Sequence, residues 1–133
     1  MTSDPPTILL IEDEFLLRGS TAWAIEEAGY RVVAAAGGEE ALRLVDERPV
    51  DLAIIDRVLP GGIDGLEFAR AVHRRKPDLP LLFTSGKALV DTLAAAGMLG
   101  AVVTKPYTDA RLLDAIARQL GRPCSEPEPT AGR

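Results

Sequence analysis

Short apolar runs alternate along the chain with longer segments in which apolar positions recur every three or four residues. The short runs lie at 7–11, 31–35, 52–55, 81–83 and 101–104. A run that is apolar throughout is typical of a strand covered on both faces, whereas the longer spacing is typical of an amphipathic helix. Strands that alternate with helices in this way predict an α/β fold, a doubly wound parallel sheet with helices on both faces.

The segments between and after these runs predict five helices. They span about 14–28, 38–47, 64–75, 88–96 and 109–120. Gly29 is a natural stop for the first helix, and Asp64 is a good N-cap for the third. Trp23 lies in the first helix, and its spacing leaves open whether it enters the core or faces a partner.

Length, composition and charge narrow the class of protein. The 133 residues are enough for one domain, which we place at 7–120, between disordered segments at 1–6 and 121–133. A net charge of -5 argues against a general nucleic-acid binder. The single cysteine, Cys124, forms no disulfide within the chain. The start of the chain is polar and no apolar run approaches the ~20 residues that span a bilayer, so we expect a cytoplasmic protein without membrane insertion.

Polar side chains follow four of the predicted strands. Because the carboxyl ends of parallel strands meet at one edge of a sheet, these side chains should converge there. Three carboxylates and one ammonium group suit a divalent cation together with a phosphoryl group. The residues concerned are Glu12, Asp13, Asp56, Thr84, Ser85 and Lys105.

The stretches ILLIEDE, DLAIIDRVLPGGIDG, LPLLFTSG and VVTKPY resemble the receiver domains of two-component response regulators. The resemblance covers about 7–120 and implies a flavodoxin-like sheet of five strands flanked by five helices. It also implies that Asp56 accepts a phosphoryl group as an acyl phosphate. The donor would be a sensor histidine kinase or a histidine phosphotransfer protein. The plainer alternative is that Asp56 begins the turn that contains Pro60.

The same resemblance implies a Mg2+ site. Asp13 would bind the ion directly, Glu12 would act through a bound water, and Asp56 and the backbone carbonyl of Val58 would complete the protein ligands. The family more often has Asp at the position of Glu12. The acidic run Glu12-Asp13-Glu14 could instead cap the first helix, where negative charge is favoured, and Asp13 could serve in both roles.

Lys105 and Pro106 match a further part of the family pattern. Lys105 would contact a phosphoryl oxygen, and a cis peptide bond before Pro106 would aim the lysine. The plainer alternative is a lysine at the end of a strand, followed by a proline in a turn.

A switch by hydroxyl and aromatic groups is implied as well. Thr84, beside Ser85, matches the hydroxyl that would hydrogen-bond the phosphoryl group. The family usually has an aromatic residue three positions before the lysine, and this chain has Val102 there. The readout must therefore differ, and we expect Tyr107, Phe83 or backbone movement to provide it.

These observations favour a stand-alone receiver that regulates an unknown protein target by docking. The docking surface implied by the resemblance is the helix predicted at 88–96, the fifth strand and the last helix, in a monomer or a phosphorylation-dependent dimer. One rival is a phosphorylation-independent binding module, favoured by Val102 and Glu12. Another is an aspartyl phosphatase, which usually requires a second Asp where this chain has Val58. We expect no direct DNA binding, because the residues after the last helix do not resemble a helix-turn-helix segment.

Overall fold

A parallel five-stranded sheet forms the centre of the protein. The computed structural model describes residues 5–56, 65–85, 101–104 and 107–121. The strand order is β2-β1-β3-β4-β5, so the third strand is central. The strands are β1 (Thr7–Ile11), β2 (Arg31–Ala35), β3 (Leu52–Asp56), β4 (Leu81–Ser85) and β5 (Ala101–Thr104).

Four of the predicted helices fall within the described residues, and each is present to within two residues at either end. The helix predicted at 88–96 and the predicted N-cap Asp64 lie outside the described residues. The helices are α1 (Phe15–Glu27), α2 (Gly38–Glu47), α3 (Gly65–Arg75) and α4 (Asp109–Gln119). Among them, none combines the length and apolar character needed to cross a bilayer.

The two faces of the sheet carry separate apolar cores. Along β1, Leu9 and Ile11 pack in the core covered by α2 and α3. Ile8 and Leu10 pack in the core covered by α1 and α4. Successive side chains of a strand point to opposite faces, so a strand covered on both faces must be apolar at every position. This explains why the strand runs are continuous in the sequence.

Local signals set the helix ends. Glu14 is the N-cap of α1, where its carboxylate accepts a hydrogen bond from the N–H of Leu17 at 3.2 Å. Of the acidic run considered as an alternative cap, Glu14 thus provides the N-cap, and Asp13 lies one residue too early to serve as the N-cap. Gly29 follows the C-cap with φ of 102°, which confirms it as the stop. Thr108 caps α4 through its hydroxyl.

The outer surface of α1 is unusually apolar. Phe15 and Leu16 are each 74% exposed and Trp23 is 64% exposed. The inner face of the helix is formed by Ala24 and Ile25, which are buried. Of the two alternatives for Trp23, the structure excludes the core and leaves a surface position.

Candidate functional site

The register of the strands brings the predicted site residues to one edge of the sheet. Ile11 pairs with Ile55, so Glu12 and Asp56 are the next residues along their neighbouring strands. Asp56 in turn pairs with Thr84. Neighbouring strands lie about 4.8 Å apart, so the backbones of Glu12, Asp56 and Thr84 stand at one level across three adjacent strands. This is the edge at which ligands bind in open parallel sheets.

Two strands run further than predicted. β3 includes Asp56, and β4 includes Thr84 and Ser85, which the sequence pattern places after the strand. The pairing of Ser85 with Thr104 extends the ladder between β4 and β5 to this point. Thr84 is a good strand former and is only 3% exposed, so the ladder continues through polar residues. The Thr84 hydroxyl is thus carried by a buried strand rather than by a loop.

Residues 12–14 form a compact acidic turn between β1 and α1. The N–H of Glu12 donates to the carbonyl of Ala35 at 3.0 Å, which ties the turn to the end of β2. Glu12 is 5% exposed, and its Oε2 accepts a hydrogen bond from the N–H of Glu14 at 3.2 Å. Asp13, in contrast, is exposed. The turn therefore holds one carboxylate inward and leaves the next one accessible.

Arg18 is the site residue that sequence reasoning missed. Its Nη1 donates to the carbonyl of Glu12 at 2.9 Å and lies 3.5 Å from the carbonyl of Asp13. The guanidinium carbon also lies 5.5 Å from the centre of the Phe15 ring. A signal was available in the sequence, because a cation in the first turns of a helix opposes the macrodipole and needs compensating contacts.

The remaining predicted residues are only partly described. Lys105, Pro106 and Val58 lie outside the described residues. For Ser85 and Val102, the structure supports only their places in β4 and β5. Tyr107 is half-buried and packs against the core beneath α1 and α4.

The donor set matches a hard cation. Carboxylate oxygens are the ligands that Mg2+ prefers, and few protein ligands are enough because the ion keeps several waters. Glu12 and Asp13 are adjacent at the carboxyl edge, and Asp56 aligns with them by backbone register. Among the side chains that the structure describes, three or more His, Cys, Asp or Glu do not converge on one point. The described side chains by themselves therefore do not form a metal site with three such ligands.

A concave surface lies at the amino end of the strands, opposite the candidate site. An open groove of about 640 Å³ runs beside the first residues of β1 and β2 and is lined by Thr7, Tyr30, Arg31 and Arg48 among others. Because Thr7 and Arg31 begin their strands, this groove is remote from the carboxyl edge. It is not part of the candidate site.

Together the fold and the edge define a class of protein: doubly wound parallel α/β proteins with acidic residues at the carboxyl ends of neighbouring central strands. Comparison with known proteins agrees. The family model described as the response regulator receiver domain matches residues 8–117. The chain belongs to this family, the receiver domains of two-component signalling.

Individual regulatory proteins are also similar in sequence over most of this chain. The chain is 38% identical over 120 residues to the transcriptional regulatory protein AfsQ1 of Streptomyces coelicolor, covering 88% of this chain and 52% of AfsQ1. It is 32% identical over 116 residues to the nitrogen assimilation regulatory protein NtrX of Azorhizobium caulinodans, covering 85% of this chain and 26% of NtrX. The chain thus spans about a quarter to about half of these relatives.

A solved structure gives the same answer for the fold. The response regulator receiver protein from Sinorhizobium medicae superposes with a TM-score of 0.80 at 27% identity, covering 88% of this chain and 95% of that one. The expected flavodoxin-like receiver fold is thereby confirmed.

Proposed function

We propose that Asp56 accepts a phosphoryl group from a phosphohistidine on a sensor histidine kinase or a histidine phosphotransfer protein. A carboxylate oxygen of Asp56 would form a bond to phosphorus while the P–N bond to the histidine breaks, leaving a neutral imidazole once a proton is supplied. The observation that carries this proposal is the backbone register that aligns Glu12, Asp56 and Thr84 at the carboxyl edge. Family membership supports the same assignment.

The acidic turn supplies the metal ligands in this proposal. Asp13 is exposed and would bind Mg2+ directly, whereas one oxygen of Glu12 is already engaged by the N–H of Glu14, so Glu12 would act through a water. The carbonyl of Val58 and the carboxylate of Asp56 would complete the set. Bound Mg2+ would neutralise part of the negative charge that gathers when a phosphate meets several carboxylates.

Two further residues would contact the transferred group. Lys105 would pair with one phosphoryl oxygen as a compact cation, aimed by Pro106, and the Thr84 hydroxyl would donate to another. The burial of Thr84 supports a switch role, because a buried hydroxyl that changes partner must move its strand or the loop after it. The later steps of the switch would involve Ser85 and Tyr107, since Val102 has no ring to rotate.

The output would be protein docking in the cytoplasm rather than turnover of a separate substrate. The partner is a downstream protein, and the receiver would act as a monomer or as a phosphorylation-dependent dimer. Self-phosphorylation and self-dephosphorylation would be its only chemistry. The two relatives named as regulatory proteins are longer than this chain, which spans at most about half of them, so the proposal does not include their output activities.

One observation favours a second candidate, a phosphorylation-independent binding module. The guanidinium of Arg18 lies against the acidic turn, where a cation opposes the entry of a metal ion. A receiver that binds no Mg2+ would still offer the exposed residues of α1 as a constant binding surface.

The test is the intact mass of the protein after incubation with acetyl phosphate or phosphoramidate, with and without Mg2+. We expect a Mg2+-dependent gain of one phosphoryl group that is lost in Asp56→Asn. Asp78→Asn is the matched control, because Asp78 is an exposed carboxylate that precedes β4 at the opposite edge of the sheet. No adduct with either donor would favour the constant binding module, and an adduct retained in Asp56→Asn would refute the assignment of the acceptor.

A further inference from the structure

Arg18 contacts three successive carbonyl groups of the acidic turn. Its backbone N–H donates to the carbonyl of Glu14 at 2.8 Å, as expected in a helix. Its Nη1 donates to the carbonyl of Glu12 at 2.9 Å and lies 3.5 Å from the carbonyl of Asp13. Arg18 therefore contacts all three residues of the turn, and in each case the acceptor is a backbone carbonyl of the turn rather than a carboxylate.

The position of Arg18 has an electrostatic penalty for the helix. It is the fourth residue of α1, so its charge lies near the positive end of the macrodipole, which disfavours a cation there. The described contacts account for this placement, because peptide carbonyls offer the guanidinium an acceptor surface. In the described part of the chain no ion pair of Arg18 with a carboxylate within 4 Å is found, so the contact is with the backbone of the turn.

The other side of the guanidinium is also held. Phe15 presents its ring at 5.5 Å, the distance of a cation–π contact, although the ring itself is 74% exposed. Contacts on two sides restrict the long arginine side chain to one arrangement. A restrained guanidinium can in turn restrain the backbone of residues 12–14, to which it is hydrogen-bonded.

We propose that Arg18 is a positioning residue that holds the acidic turn in the conformation that binds Mg2+. The inference rests on the proposed function. Arg18 has two opposite effects on the ion: its charge repels Mg2+, and its hydrogen bonds keep the backbone of Glu12 and Asp13 in place. We expect the positioning effect to be the larger one, because the carbonyls partly offset the charge, whereas the contacts of Arg18 link all three carbonyls of the turn.

The two effects predict opposite results for the same substitution. Arg18→Met keeps most of the length of the side chain and removes both the charge and the hydrogen bonds. If positioning dominates, Mg2+ affinity falls by about tenfold, the lower end of the loss seen when groups that orient metal ligands are removed. If charge dominates, the affinity rises. Arg18→Lys lacks the planar fork, but its ammonium can still donate to a carbonyl of the turn, so it should give an intermediate loss.

The measurement is a calorimetric titration of the unphosphorylated protein with MgCl2, at fixed ionic strength. Arg43→Met is the matched control, since Arg43 is an exposed arginine in the middle of α2. Far-UV circular dichroism shows whether each variant is folded, and thermal midpoints without Mg2+ measure any purely structural effect. A structural role alone would lower the midpoint and leave the Mg2+ affinity of the folded protein unchanged.

The outcomes separate this inference from the proposed function. A loss of affinity in Arg18→Met, partly restored in Arg18→Lys and absent in Arg43→Met, supports the inference. Unchanged or tighter binding in Arg18→Met, with normal binding by the parent, overturns the inference alone. If the parent protein binds no Mg2+, both the inference and the metal-dependent function are overturned.

Discussion

Replacing Phe68 by alanine should destabilise the protein far more than the same substitution at Phe15. The two side chains are chemically identical, but Phe68 is completely buried in the core covered by α2 and α3, and Phe15 is 74% exposed on α1. The pair therefore tests the burial assigned to each helix, with the side-chain chemistry held constant.

The expected magnitudes follow from these environments. Phe68→Ala removes the transfer free energy of a buried ring and leaves a cavity, which together lower the free energy of unfolding by about 3–5 kcal/mol. Phe15→Ala loses its contact with Arg18, worth about 0.5–1 kcal/mol at an exposed site, and gains slightly in helix propensity. The net loss at Phe15 should thus stay below about 1 kcal/mol.

The assay is urea unfolding followed by circular dichroism, with the same buffer for the parent and both variants. A loss of 3–5 kcal/mol corresponds to a fall of roughly 10–25 °C in Tm for a domain of this size. It is also a large part of the 5–15 kcal/mol typical of a folded domain, so the Phe68 variant requires measurement at low temperature. Similar losses at the two positions, or a loss below about 2 kcal/mol at Phe68, would refute the burial of α3 described above.

Substitutions at four further positions have expected outcomes that unfolding experiments can check. Gly29→Ala should destabilise the protein by about 1–2 kcal/mol, because φ at Gly29 is 102°. Gly19→Ala within α1 should stabilise it by up to about 1 kcal/mol, because an added Cβ there meets no atom within 4 Å. A change of the same sign at both positions would contradict this reasoning. Thr108→Ala should lower the unfolding free energy by about 1 kcal/mol through loss of the α4 cap, and Thr108→Ser should restore most of it. Arg75→Met should change stability by less than about 0.5 kcal/mol, since its 2.9 Å pair with Asp46 is about half exposed, and a larger loss that persists in high salt would rule out a simple surface pair.

Most of the fold could be predicted because its signals are local. The run at 52–55 is apolar at every position, as a central strand with two covered faces must be, and β3 proved to be central. The bounds of β2 and α2 agree with the prediction at every residue. Gly29 ends α1 through a backbone conformation that glycine adopts at low cost.

Where the structure differs from the sequence-based prediction, the differences have physical reasons. The ends of β3 and β4 were placed too early, because Asp56 and Thr84 are polar and the sequence pattern ends a strand where polarity begins. Their inclusion depends on hydrogen bonds to the neighbouring strand, which a single sequence does not display. The sequence does not decide the place of Trp23, because an aromatic residue on a helix suits a core or a binding surface equally well, and its direction depends on how α1 packs on the sheet.

The candidate site, too, could be predicted from the sequence only in part. Acidic residues at the ends of two apolar runs, and a threonine at the end of a third, were visible in the order of the residues. Arg18 was not identified, because its role is defined by contacts with backbone carbonyls rather than with charged side chains. A search for opposite charges along the chain passes over such contacts.

The alternation of strands and helices, the covering of the sheet on both faces and the chemical groups at the strand ends can all be derived from the amino-acid sequence. These properties depend on the spacing of apolar residues and on caps, which act over a few residues. Which strands are neighbours, and in what register, follows from the packing of the whole chain. Pairing of Ile11 with Ile55 and of Asp56 with Thr84 joins residues far apart in the chain, and it is this pairing that aligns the backbones of the acidic residues and the buried threonine at one edge.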